Sequence, residues 1–148
     1  MIQLADIAQP DPAGGMAVHG SAVVFEGSGV LFFGPSGSGK SQSALSLLAL
    51  GAQLISDDRV IVSPLGLRAP TGALAKIEAR GVGLLAADLN PGPVPFKLAI
   101  DLARSEPDRL PASRVIDCDG LEVPLILAAG HPNLAAVVVQ FLRGGRAK

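Results

Sequence analysis

The chain has 148 residues, 49% hydrophobic and only 3% aromatic, with 12 basic residues against 13 acidic ones. That length suits one domain with a sizeable core of Ala, Leu, Val and Ile, and the composition excludes a disordered chain. The balanced charge excludes the positive field that sequence-independent nucleic-acid binding needs, and no stretch supplies the ~20 apolar residues of a membrane span.

The N-terminal residues lack the basic start and unbroken apolar run of a secretory leader, so a cytoplasmic protein without nucleic-acid or membrane partners is expected. Residues 1–15 carry two prolines and end in Gly14-Gly15, which predicts a loose lead-in; residues 16–148 then form the single domain. Two β-prone apolar runs, 16–26 and 29–33, are separated by Gly27-Ser28 and predict two strands. The second runs into a glycine-rich stretch, after which residues 43–50 are helix-forming and stop at Gly51. Residues 53–56 and 60–62 read as strands on either side of the polar pair Asp57-Asp58. Beyond Pro64, strands are expected near Ile77, Leu84, Leu98, Val115 and Leu125, and residues 133–142 form a largely buried C-terminal helix. Many strands with few helices predict an α/β domain with a mixed sheet. Cys118 is the lone cysteine, so no intrachain disulfide forms, and a buried apolar thiol is its plain reading.

Gly34, Pro35, Ser36, Gly37, Ser38, Gly39, Lys40 and Ser41 read GPSGSGKS, the phosphate-loop pattern G-x-x-x-x-G-K-[ST], with a strand before it and a helix after it. The glycines let the backbone turn its N–H groups onto an anion, and the helix N-terminus adds a favourable partial charge. Lys40 is then expected on the β- and γ-phosphates of ATP, and the Ser41 hydroxyl on Mg²⁺. Asp57-Asp58 falls at the end of the next strand, where α/β folds collect ligand-binding residues. One carboxylate can hold Mg²⁺ and the other accept a proton from an incoming hydroxyl. Glu78 and Arg80 share one side of a strand, fit either to bridge metal and phosphate or to form an ion pair. His19 and His131 read first as structural residues.

These separated features together resemble the catalytic domain of HPr kinase/phosphorylase. They are His19-Gly20, the phosphate loop, Asp57-Asp58-Arg59-Val60 and Glu78-Ala79-Arg80-Gly81-Val82-Gly83, and the resemblance extends over about residues 19–143. It implies the HPr kinase and phosphoenolpyruvate carboxykinase-like fold and a cytoplasmic, ATP- and Mg²⁺-dependent serine kinase acting on the phosphocarrier protein HPr. It further implies a hexamer and a short form without the separate N-terminal domain of longer members. His19 is then expected to assist catalysis, Asp58 to act as the base, Ser41 and Glu78 to hold the metal with Asp57, and Arg109 of Asp108-Arg109-Leu110 to act on the transferring phosphate. Gln42 stands where the family often has an acidic residue. Ala129-Gly130-His131-Pro132-Asn133 lacks both arginines of the family's Arg-Pro-Gly-Arg-Asn stretch, so the phosphorylase reaction is not implied. The residues also admit a kinase of another acceptor, or a non-catalytic nucleotide-sensing module.

Overall fold

The two apolar runs after Gly15 become the longest antiparallel pair of the sheet. In the computed structural model, which describes residues 2–147, β3 (Met16–Phe25) turns through Glu26-Gly27 into β4 (Ser28–Phe33), with Val23 facing Val30 and Gly20 facing Phe33. Preceding them are two short strands, β1 (Ile2–Gln3) and β2 (Ala8–Pro10). After them come α1 (Lys40–Leu48), β5 (Gln53–Ser56), β6 (Arg59–Ser63), β7 (Gly66–Arg68), β8 (Lys76–Ala79) and β9 (Gly83–Ala86). The chain closes with β10 (Phe96–Asp101), β11 (Arg114–Cys118), β12 (Leu121–Leu127) and α2 (Leu134–Gly144).

The main sheet runs β1-β11-β12-β10-β4-β3-β6-β7, and β2 and β5 also pair with β3. β10 is parallel to both β4 and β12, and β1 is parallel to β11. The pairings of β3 with β2, β4, β5 and β6 are antiparallel. This is the mixed sheet expected. β8 and β9 form a separate hairpin. Each expected strand near Ile77, Leu84, Leu98, Val115 and Leu125 is present.

Alternation along the strands makes two cores, one on each face. Val23, Phe25, Val30, Phe32, Leu98 and Ile100 meet α1 and α2 through Ala44, Leu47 and Val138. Ala22, Val24, Leu31, Phe33 and Ala99 point the other way, into one cluster that holds Val60 and Val62 of β6 together with Ile116 of β11 and Val123 of β12. Residues from both flanks of the sheet meet in that cluster, so the sheet curls to cover its second face without a helix. α1 ends in a Schellman motif, the Ala52 N–H donating to Leu47 O (3.0 Å) and the Gly51 N–H to Leu48 O (3.1 Å).

Two expectations change. Residues 2–10 are not a loose lead-in: Ile2 and Gln3 pair with Ile116 and Asp117, a 3₁₀ turn follows at Leu4–Asp6, and Ala8 to Pro10 pair with Val18 to Met16. The buried Leu4 drives this, packing into the curled-sheet cluster; fully burying a leucine contributes about 1.5–3 kcal/mol. α2 is less buried than its composition suggests. Val138 is fully buried, Leu134, Phe141 and Leu142 half-buried, and Ala136 and Gln140 exposed, because one stripe alone meets the core. Among the described residues no helix is long and apolar enough to cross a membrane.

Candidate functional site

The glycine-rich stretch leaves β4 at Phe33 and enters α1 at Lys40, three residues earlier than the helix expected from propensity. Gly37 and Gly39 have φ of 84° and 98°, the left-handed region that costs other L-residues about 1–2 kcal/mol. α1 has no side-chain cap at Gly39, so its leading N–H groups stay available at the loop. Lys40 is buried, and its ammonium donates to the carbonyls of Gly34 (2.8 Å) and Pro35 (2.9 Å). Burial pulls its pKa below the ordinary lysine value, against the opposing pull of Asp58 and Asp57.

Asp57 follows β5 and turns back toward α1. Its Oδ1 accepts from the Ser41 hydroxyl (2.8 Å) and the buried Ser21 hydroxyl (2.7 Å), and its Oδ2 accepts from the backbone N–H of Glu78 (3.2 Å). This carboxylate therefore ties together β3, α1 and β8. Asp58 is exposed and held at φ 80°, its carbonyl accepting from the Gly20 N–H (3.2 Å). Aspartate visits this region more readily than most residues, yet such strain costs ~1 kcal/mol and gathers at functional sites. Asp58 Oδ1 lies 3.3 Å from His19 Nδ1. Gly20 is required beside His19, since a Cβ there would lie 2.5 Å from Phe32 O.

These groups converge on one cleft of about 700 Å³, lined by His19, Lys40, Ser41, Asp58 and Glu78 with Ser36, Gly37 and Gly39. Arg80 and Val82 close it from the β8–β9 side. No ion pair joins Glu78 to Arg80 among the described residues, which leaves both side chains to the cleft. Ser21 was missed from sequence, although it stands two residues from His19 and so on the same side of β3. The structure does not bring Arg109 to this cleft. Arg109 lies on the exposed segment after β10, where Arg114 fixes Glu106 through Nε (2.8 Å) and Nη2 (3.1 Å) at the start of β11. His131 is also remote, its Nδ1 accepting from the Asn133 N–H (3.1 Å) ahead of α2.

The residues fit a polyphosphate and a hard cation. The loop offers left-handed glycines, unclaimed helix N–H groups and a buried ammonium. Ser38 Oγ is buried without a hydrogen-bond partner among the described residues. The Ser41 and Ser21 hydroxyls and the Asp57 carboxylate gather oxygen donors at one point. No group of three or more His, Cys, Asp and Glu that could hold a metal occurs among the described residues. The hydroxyl and carboxylate oxygens that are present are of the kind a hard cation takes.

Fold and site together define a domain of the phosphate-loop class built on a mixed sheet. The HPr Serine kinase C-terminal domain family matches residues 12–92, more than half of the chain, and the chain belongs to that family. Its relatives include the HPr kinase/phosphorylase of Cupriavidus necator, 34% identical over 146 residues, covering 86% of this chain and 45% of that protein. The HPr kinase/phosphorylase of Mycoplasmopsis pulmonis is 47% identical over 72 residues, covering 46% of this chain and 23% of that protein. The alignments thus span less than half the length of these curated relatives. The structure of the Hpr(Ser) kinase/phosphatase from Coxiella burnetii matches with a TM-score of 0.67 at 25% identity, over 86% of this chain and 88% of that one. The family match contains His19, the phosphate loop, Asp57, Asp58 and Glu78, and ends before Arg109.

Proposed function

We propose that this protein is a cytoplasmic ATP-dependent serine kinase that phosphorylates HPr, the acceptor implied by its family. The observation that carries this reading is the convergence of the phosphate loop, the Ser41–Asp57 contact and the His19–Asp58 pair on one cleft. Gly34 to Ser41 wrap the triphosphate with backbone N–H groups, and Lys40 leaves its own loop carbonyls for the β- and γ-phosphate oxygens. Ser41, Asp57 and Glu78 would hold Mg²⁺, which would neutralise charge on those phosphates. Asp58 accepts the proton of the seryl hydroxyl as its oxygen bonds to the γ-phosphorus and the β–γ bridging P–O bond breaks to release ADP, and His19 orients the Asp58 carboxylate through their 3.3 Å contact. The exposed position of Asp58 suits a base that must meet a hydroxyl carried by another protein. Most of the rate gain is positioning and electrostatics.

Arg109 contributes to transfer in this reading only if its segment moves over the phosphates. A hexamer is the family's implied assembly and belongs to the same proposal. The reverse, phosphate-removing reaction is left out, because Ala129 to Asn133 offers no arginine fork for a phosphate.

The test is transfer of labelled phosphate from ATP to purified HPr, with Mg²⁺ present and then chelated. The wild-type chain transfers label, chelation stops it, and Lys40→Ala loses at least ~10²-fold in rate, the scale of removing one transition-state donor. Lys40→Ala at wild-type rate would sink the reading. Labelled ATP bound tightly with no turnover would instead favour a nucleotide-sensing module.

A further inference from the structure

His19 and Asp58 line two depressions rather than one. Behind the nucleotide cleft lies a second groove of about 660 Å³, lined on one side by residues 5–10 and on the other by Ala17, Val18, His19, Asp58 and Arg59. The first wall is the N-terminal strap, which crosses from β11 at one flank of the sheet to β3 near the other and is pinned by Leu4. The His19–Asp58 pair is therefore a partition, with phosphate-loop residues on one side and the strap on the other. His19 and Asp58 are the lining residues that the two depressions share.

The groove has a charge preference. Its formal charges are Asp6, Asp58 and Arg59. Arg59 is already committed to Asp11, whose carboxyl that guanidinium and the Ala13 N–H hold below the usual range. Asp6 stands exposed on the 3₁₀ turn, with one carboxylate oxygen accepting from the Gln3 N–H at 2.8 Å and no basic side chain paired with it among the described residues. Its lining carries one net negative charge, and the Arg104 that shares an adjoining depression with Asp6 is itself paired with Asp101, so the groove favours a cationic segment over an acidic one.

We propose that the strap groove is the acceptor-docking surface, and that it takes a polypeptide segment carrying a lysine or arginine beside the reacting seryl hydroxyl. The basic side chain sits on Asp6 while the hydroxyl reaches Asp58. The proposal rests on the kinase reading for its meaning, but its charge rule concerns binding and is measurable apart from turnover.

Two arms separate the possibilities. In the first, NMR or calorimetry follows binding of a seryl peptide with a flanking lysine, and of its glutamate analogue, to the full chain. The lysine peptide is expected to bind and to perturb Gln9 and His19, the analogue to bind at least ~10-fold more weakly, and Asp6→Lys to reverse the order. Equal binding of the two peptides, or an order unchanged in Asp6→Lys, overturns the proposal. In the second arm, steady-state transfer to HPr is measured with Asp6→Asn, which keeps an oxygen for the Gln3 N–H. The KM for HPr is expected to rise roughly 5-fold and its salt dependence to flatten, with kcat and the KM for ATP unchanged. An unchanged HPr KM with normal turnover refutes the groove and leaves the kinase reading standing. Charge-dependent peptide binding without transfer to HPr refutes HPr as the acceptor and leaves the groove standing.

Discussion

The two sides of the His19–Asp58 partition are built by different means. On the donor side, consecutive residues make the site: the eight positions Gly34 to Ser41, six between β4 and α1 and the first two of α1, supply the loop, and one carboxylate, Asp57, fastens it to β3 and β8 through three hydrogen bonds. On the proposed acceptor side the wall is a strap of short strands and a single turn, joined to a far part of the chain at Ile116 and Asp117 and held by one buried leucine. A polyphosphate is the same in every encounter and rewards a fixed cradle. A protein acceptor brings its own shape, and a wall with few anchors can adapt to it.

The most severe way to break the comparison is to remove the group shared by both sides. Asp58→Asn keeps the shape of the partition and removes the proposed base, so kcat should fall about 10³-fold while ATP still binds, a loss within the usual range for general-base removal. Single-turnover transfer alongside ATP titration checks this, and a matching loss of ATP affinity would assign Asp58 to the donor side alone.

Weakening the strap should instead act on the acceptor. Leu4→Ala opens a hole in the curled-sheet core and is expected to cost about 2–3 kcal/mol of stability, lowering the melting temperature by roughly 5–10 °C. At a temperature where the variant remains folded, the KM for HPr should rise and the KM for ATP stay put. Ser21→Ala probes the other side more gently. The hydroxyl donates to Asp57 in company with Ser41 and the Glu78 N–H. Its loss should lower ATP affinity about 5-fold, near the 1 kcal/mol of one net hydrogen bond, and leave the HPr KM unchanged.

The same contrast explains what could be read in advance. The phosphate loop was legible because its chemistry is contiguous, and the strand before it and helix after it are local patterns. The Asp57-Asp58 pair was legible because a short apolar run places it at a strand end. Which of the two carboxylates turns inward was not, since that depends on φ 80° at Asp58 and on Ser21 and Glu78 lying opposite Asp57. The start of α1 at Lys40 was obscured by Gly and Ser, which are poor helix formers in isolation but seat a helix on a phosphate loop. The strap was illegible for a stronger reason. Ile2–Gln3 is too short to show alternation, and Pro10 with Pro12 reads as loop, while the decisive contact is made by Leu4 with residues distant in sequence. Arg109 shows the converse: a local triplet matched, and the fold set it away from the cleft.

Cys118 offers the mildest probe of the acceptor side. It is half-buried at the end of β11 and packs against the same cluster as Leu4 and Ile2. Burial, with Asp117 and Asp119 adding to it, pushes the thiol up to about 11. At pH 8 about one molecule in a thousand then carries the reactive thiolate, against about a quarter for an ordinary cysteine. Alkylation should accordingly be slow and rise about tenfold per pH unit until it levels near pH 11. Leu4→Ala loosens the cluster that buries the thiol, so labelling at pH 8 should speed up in that variant. Added nucleotide should leave the rate alone, because the donor cleft does not touch this core. Labelling that slowed with ATP would mean that the two sides of the partition are mechanically joined, and the division between a fixed donor cradle and an adaptable acceptor wall would have to be redrawn.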